Sequence, residues 1–297
     1  MIDYAAALAV ARVVQTGSFE KAARSLNVTP SAISQRVRQL EERLGTVLIE
    51  RGTPCLATEK GARLCRHMEL VGMLEIDLMG HLPGVADKES SPISVDVAVN
   101  ADSLATWFLP AAATFSAKNS TIMLNIAVDD QEHTADWLRR GRVLAAVTAL
   151  AEPVAGCRTM PLGRLRYQAN ASPDFIRRYF PAGVTPEALR QAPAITFNQK
   201  DFLQRDWLVG TFGSDIGGPS HFLPSTHGFV DACLLGLGWG LNPEHLVREH
   251  LAEGRLVELV PGASLDVSLH WQVSRLAAGQ FSDLTKAVVD AARRELH

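Results

Sequence analysis

No run of 18 uncharged apolar residues occurs anywhere in the sequence, which leaves no candidate for a helical membrane span. Cysteine is scarce. Its four copies (Cys55, Cys65, Cys157 and Cys233) form no Cys-x-x-Cys pair, which argues against a zinc site or a disulfide framework and for a reducing, cytoplasmic setting. There is no G-x-S-x-G elbow, no P-loop, no metal-ligand spacing and no Cys/His arrangement, so no catalytic residue and no metal site is expected and an enzyme is not indicated. A basic leader is also missing. The opening MIDYAAALAVARVV carries an early Asp and reads as an amphipathic helix, not a signal peptide.

What is present is the profile of a soluble globular protein, with 47% apolar and 21% charged residues, in a 297-residue chain that suits two or three compact units. The overall charge of −3 hides an asymmetry, because residues 1–60 carry a net +2 and the remainder −5. Between residues 21 and 40 stand Lys21, Arg24, Arg36 and Arg38 without a single acid. A basic patch confined to one unit of a mildly acidic chain suits a modular nucleic-acid binder; the plainer alternative is a solvated helix face.

Residues 2–16 read as a first helix with Leu8, Ala11 and Val14 among its inward positions, stopped by Gly17. Ser18 caps a second helix over Phe19 to Leu26, and Asn27 provides a left-handed turn residue. Thr29-Pro30, an N-cap hydroxyl followed by proline at the first helical position, opens a third helix that runs to Leu44 and ends at Gly45. Ile33, Val37, Leu40 and Leu44 form its apolar stripe, while Ser31, Ser34, Gln35 and Arg38 gather on a roughly opposite face. Short polar groups at the start of a helix let its backbone enter the major groove, where glutamine pairs with adenine. Arg38, Lys21 and Arg24 suit phosphates. Arg36 points elsewhere.

Thr46 to Arg51 and Cys55 to Ala57, separated by a Gly-Thr-Pro turn, read as a hairpin wing that places Arg51 beside backbone phosphate. Thr58 then caps a long helix to about Leu82. Leu64, Met68, Val71, Leu78 and Leu82 give it an apolar stripe, widened by Met73, Leu74 and Ile76, and pairing with the same helix of a second copy is the economical way to cover it.

The segments AARSLNVTPSAISQRVRQLEERLG and VLIERGTPCLATEKGARL resemble the DNA-binding domain and linker helix of LysR-type transcriptional regulators. Ala22, Ala23, Leu26, Ser34, Val37, Leu40, Glu41, Gly45, Leu48, Arg51, Thr58 and Gly61 carry the match. Pro30-Ser31 stands where many members have Gln-Pro, Ile49 replaces a usual Phe, and a second wing arginine is missing before Cys55. The resemblance implies a homodimer or tetramer on double-stranded DNA, with RNA polymerase as a further partner and Thr29, Pro30, Ser31, Ser34 and Gln35 at the bases.

Beyond a polar linker at 87–92 the pattern alternates. Strands at 93–99, 121–128 and 143–148 are separated by helices at 103–118 and 131–141. A second set has strands at 166–171, 194–198 and 239–241 and helices at 173–179 and 229–235; a strand at 265–273 and a helix at 281–296 then return to the first lobe. Such alternation implies parallel sheets. The expected whole is α/β and multidomain. An all-α winged helix-turn-helix (1–58) leads through a linker helix (59–91) into a two-lobed effector domain (92–297) resembling periplasmic binding proteins. Lobe I covers about 92–165 and 266–297, lobe II about 166–265. Gly236, Gly238 and Gly240 follow a helix and so form a tight turn, not a dinucleotide fingerprint, and 213–221 reads as a mobile loop.

Ligands in such folds sit between lobes, at strand C-termini and helix N-termini. The effector candidates by position are Asn100, Asp102, Ser103, Asp129, Asp130, Thr148, Phe197, Asn198 and His227. Ser103 matches a ligand-contacting hydroxyl of the family; Asp102 reads first as a helix N-cap and only second as a ligand contact. The stretches VTPSAISQRVRQLE and NADSLATWFLPA are most similar to the ArgP/LysG branch. That resemblance implies lysine or arginine as effector, an exporter gene as target and no cofactor. A nucleoid or replication-origin binder is the competing reading.

Overall fold

The computed structural model describes residues 2–81, 93–129, 134–139 and 142–297. Helix α1 (Tyr4–Thr16) begins where Asp3 accepts the Ala6 N–H and ends at Gly17, whose φ of 69° is left-handed. Helix α2 (Phe19–Ser25) is capped by Ser18 and α3 (Pro30–Leu44) by Thr29, with Asn27 between them at φ 53°. Ala7, Val10, Val13, Ala22, Ala23, Ile33, Val37 and Leu40 fill the core where the three helices cross. Alanines at the crossing let the backbones approach closely.

Two positions expected inward are not. Leu8 is exposed because α1 is apolar on nearly every face, so periodicity does not define its phase; Ala6, Ala7 and Val10 take the core side. Leu44 is exposed because it sits at the last turn, past the edge of the domain, immediately before the left-handed Gly45.

The wing is short: β1 (Ile49–Glu50) pairs antiparallel with β2 (Leu56–Ala57). Helix α4 (Glu59–His81) follows. Its apolar stripe is divided between two cores. Leu64, Cys65 and Met68 pack on the N-terminal helices, whereas Leu70 and the buried Met73 join the core of the C-terminal domain. Leu74 and Leu78 stay exposed, and Leu82 lies outside the described residues.

The C-terminal domain opens with β3 (Ile93–Asn100). A continuous helix follows, made of α5 (Ala101–Ser103), a π turn over Leu104–Phe108 and α6 (Leu109–Lys118). Then come β4 (Ile122–Asp129), α7 (Thr134–Arg139), β5 (Ala145–Thr148) and β6 (Cys157–Ala171). The second lobe holds α8 (Pro173–Tyr179), α9 (Pro186–Leu189), β7 (Ala194–Thr196), α10 (Leu203–Phe212), β8 (Ser220–Phe222), α11 (Thr226–Leu234), β9 (Gly240–Pro243), α12 (Glu244–Ala252) and β10 (Val257–Glu258). Strand β11 (Ser264–Ser274) and helix α13 (Ser282–Glu295) complete the chain.

The main sheet runs β10-β6-β11-β5-β3-β4, with β9 also on β6. Only β3, β4 and β5 are mutually parallel; β6, β9, β10 and β11 are antiparallel to their neighbours, so the all-parallel expectation is corrected to a mixed sheet. The 15-residue β6 and 11-residue β11 pair from Ser264 opposite Gln168 to Ser274 opposite Cys157, and these two strands are the crossings between lobes. Strand β6 begins nine residues earlier than expected. Pro161 and Gly163 stand inside it, yet Gly163 takes φ 129° at the register shift beside Leu269 and the strand continues through it. Segment 213–221 likewise contributes Ser220 and His221 to β8, paired in parallel with β7.

Candidate nucleic-acid interface and effector cleft

The candidate DNA-facing surface is built on α3. With Ile33, Val37 and Leu40 buried, Ser31, Gln35 and Arg38 are exposed and Ser34 is half-buried. The Thr29 hydroxyl accepts the Ala32 N–H at 3.2 Å and lies 3.0 Å from the Ser31 hydroxyl, so the first turn of α3 presents a small polar cluster. Pro30 occupies the first helical position, where a missing N–H costs nothing. Arg38 pairs with Glu42 at 2.8 Å, but both side chains are largely exposed, and such a pair gives way readily to a phosphate. Lys21 and Arg24 are exposed on α2, and the Arg51 guanidinium lies 5.3 Å from the Phe19 ring centroid, which holds the wing cation near α2.

Glu41 anchors this surface. One of its carboxylate oxygens accepts the N–H groups of Leu48 (2.8 Å) and Ile49 (3.2 Å), tying the end of α3 to the wing. In the sequence Glu41 is only a pattern match; the staple needs the three-dimensional turn to be seen.

The candidate effector cleft lies where β3 ends and α5 begins, facing lobe II. It encloses about 580 Å³ including its open mouth. Lobe I contributes Asn100, Ala101 and Asp102. Lobe II contributes the 197–203 loop, Thr226 and Phe229 of α11, and Leu241, Asn242 and Pro243 of β9. Asn100 is buried, and among the described residues neither atom of its side-chain amide has a hydrogen-bond partner. It occupies the cap position of the helix without a side-chain cap bond. Asp102 is not the cap either. Its carboxylate accepts the Tyr167 hydroxyl at 2.7 Å and the Thr226 hydroxyl at 2.7 Å. Burial pushes the Asp102 carboxyl above its ordinary range, against the opposing effect of those two hydroxyls.

The other expected effector residues divide. Phe197 lines the cleft. Ser103 is fully buried outside the cleft lining, and among the described residues its hydroxyl has no hydrogen-bond partner. Thr148 is buried at the end of β5, where its hydroxyl accepts the Leu150 N–H at 3.1 Å. Asn198 faces a neighbouring cavity in lobe II, its amide oxygen accepting the Lys200 N–H at 2.7 Å. His227 is exposed and outside the cleft. Helix α11 starts at Thr226 instead of near Phe229, and the changed phase turns Thr226 inward and His227 outward. Asp129 ends β4, while Asp130 lies outside the described residues. Sequence reasoning missed Tyr167, Lys200, Asp201 and Thr226. Lys200 and Asp201 lie in a loop without periodicity, and Tyr167 is indistinguishable from any core residue of a strand.

All four cysteines are free, and burial raises the Cys65 and Cys233 thiols to about 12, where they are poor nucleophiles. Among the described residues no cluster of three metal-ligating side chains occurs and no helix is long and apolar enough to cross a membrane.

A winged helix-turn-helix joined through a helix to a two-lobed ligand domain defines a DNA-binding regulator controlled by a small molecule. Residues 6–62 match the bacterial regulatory helix-turn-helix protein, lysR family, and residues 93–297 match the LysR substrate binding domain. The chain belongs to the LysR family of transcriptional regulators and is not an enzyme. It is 43% identical over 286 residues to the HTH-type transcriptional regulator ArgP of Pseudomonas aeruginosa, covering 96% of this chain and 94% of that one. The crystal structure of ArgP from Mycobacterium tuberculosis superposes with a TM-score of 0.81 at 38% identity, over 100% of this chain and 99% of that one. Full-length LysG from Corynebacterium glutamicum, described with bound effector Arg, gives 0.70 at 34% identity over 100% of both chains.

Proposed function

We propose that this regulator senses a basic amino acid, lysine or arginine, and thereby controls a gene for basic amino acid export. The observation that carries the effector class is the charge pattern of the cleft wall, where Asp102 and Asp201 stand with Lys200. Two carboxylates and one ammonium complement a ligand with two cations and one carboxylate. Hydroxyls of Tyr167 and Thr226 already reach the Asp102 carboxylate, and the Phe197 and Leu203 N–H groups reach that of Asp201, so a ligand cation would add charge pairing that a neutral or acidic amino acid lacks. The arginine described on the Corynebacterium glutamicum relative supports the same class. In calorimetry, L-arginine or L-lysine should bind while L-leucine and L-glutamate do not; equal binding of all four, or of none, would remove the effector assignment.

On DNA, α3 enters the major groove with Ser31, Ser34 and Gln35 toward base edges, while Lys21, Arg24, Arg38 and Arg51 meet phosphates. Leu74 and Leu78 of α4 provide the pairing face of a homodimer, which can further assemble as a tetramer on paired half-sites and engage RNA polymerase in the cytoplasm. Ligand changes the lobe geometry and so the placement of the two DNA-binding domains. A nucleoid-binding role with little ligand dependence would instead give operator footprints unchanged by arginine.

Replacing Gln35 by Ala should lower operator affinity by about 1–3 kcal/mol and relax base preference, with non-specific binding near normal. An equal loss on every sequence would show that Gln35 does not read bases. Arg38→Ala should weaken all DNA similarly and reduce the slope of log K against log salt by about one. An unchanged slope would contradict a phosphate contact.

A further inference from the structure

The effector class proposed above does not say which group of the protein enforces it, and three features of the cleft converge on Asp102. It belongs to lobe I, two residues beyond the end of β3, and its backbone oxygen is engaged by the Thr106 hydroxyl at 2.6 Å. Its side chain is held by groups outside that lobe: Thr226, the first residue of α11, on one oxygen and Tyr167, on the crossing strand β6, on the other. Both donors are neutral, and among the described residues Asp102 has no ion pair, although the chain has many elsewhere. Tyr167 and Thr226 are themselves buried, so the carboxylate is fixed in direction by packed side chains.

We propose that Asp102 is the counter-charge that selects a cationic effector, and that Tyr167 and Thr226 are positioning residues that aim its carboxylate into the cleft. This rests on the basic amino acid reading and sharpens it to one side chain. A carboxylate has about four lone-pair sites, so two hydroxyl bonds leave capacity for an ammonium or guanidinium. A cation that binds there is attached through Asp102 to α5, to α11 and to β6 together. Capture of one charge is thereby felt by both lobes and by a strand that joins them, the differential contact that a conformational response requires. The desolvation that raises the Asp102 carboxyl is relieved by the incoming cation, so binding should also strengthen with pH across the acid range.

The test is isothermal titration calorimetry of the full chain with four ligand pairs. Arginine against citrulline and lysine against norleucine remove the distal cation, whereas lysine against 6-aminohexanoate removes the α-ammonium; arginine against agmatine removes the carboxylate as a control. The wild type should prefer the cationic member of at least one of the first three pairs, and Asp102→Asn should reduce that preference by about 10- to 100-fold. The pair that collapses identifies which ammonium or guanidinium group meets Asp102. Asp102→Glu, which keeps the charge, should restore most of the preference. Tyr167→Phe combined with Thr226→Val leaves the carboxylate but removes its guides, and should reduce the preference several-fold while speeding amide exchange at Gly228 and Phe229.

If the wild type binds neither lysine nor arginine, the effector reading falls and Asp102 falls with it. If the wild type binds them and Asp102→Asn discriminates as well as the wild type, the effector reading stands and the role of Asp102 is overturned. Should Asp102→Asn not fold, unchanged discrimination in the Tyr167→Phe, Thr226→Val protein would overturn the positioning claim on its own.

Discussion

Alanine in place of Gly61 is expected to cost about 3 kcal/mol or more of N-terminal domain stability, the upper end of overpacking penalties, and to abolish operator binding at temperatures the wild type tolerates. Gly61 is buried in the first turn of α4, and an added Cβ would lie 1.9 Å from the carbonyl oxygen of Leu48 and 2.9 Å from its carbonyl carbon. The obstacle is backbone, not a side chain that can turn aside. That backbone is itself held, because Leu48 receives the Thr58 N–H at 3.0 Å and gives its own N–H to Glu41. The Thr58 hydroxyl completes the knot by bonding Val47 O at 2.9 Å and accepting the Gly61 N–H. Moving α4 away to admit a methyl group would therefore pull on α3 through Glu41. Gly210→Ala is the control, since nothing lies within 4 Å of a Cβ there. Thermal unfolding and operator titration decide the matter; wild-type behaviour from Gly61→Ala would mean the close approach does not exist in solution.

A second large effect concerns the seam between α4 and β3. Glu69 of α4 stands close to Asp96 of β3, and Asp96 accepts from Asn125 Nδ2 at 2.6 Å. Burial first, and the neighbouring Asp96 second, push the Glu69 carboxyl up to about 8; burial also raises Asp96. A carboxyl that holds its proton more tightly when folded stabilises the fold fully at low pH. That contribution shrinks as pH climbs from the ordinary glutamate range toward 8 and is gone above it. Glu69→Gln is neutral at every pH. The stability of this variant relative to wild type should therefore rise by up to about 1.4 kcal/mol per pH unit between roughly 4.5 and 8, then level off. Denaturant midpoints for the two proteins across that range measure it. Parallel curves would show that Glu69 is ionised and separate from Asp96 in solution.

Much of the N-terminal unit is legible in the sequence because its punctuation is local. Thr29-Pro30, Asn27, Gly17 and Gly45 each impose a backbone conformation whatever surrounds them, and the helices begin and end there. The phase of α1 is not legible, since alanine and valine on every face leave the choice to tertiary packing. In the C-terminal domain the parallel strands β3, β4 and β5 are readable as apolar segments separated by helical ones, and β5 as a buried run. The crossing strand β6 is not, because its partner β11 lies about a hundred residues away and Pro161 and Gly163 mimic a break. The cleft suffers most from this. Asn100, Asp102 and Phe197 were within reach because they follow strands. Thr226 was missed by a three-residue error in a helix start, and Lys200 and Asp201 because their loop is placed by the lobes it connects.

Because β6 and β11 each run through both lobes, the main sheet belongs to neither lobe alone. A perturbation that loosens the ladder near Gly163 weakens one half of the domain and the other in the same stroke. The two halves differ in place but share their longest strands. A ligand that grips the gap between them accordingly stiffens the whole domain rather than one face of it.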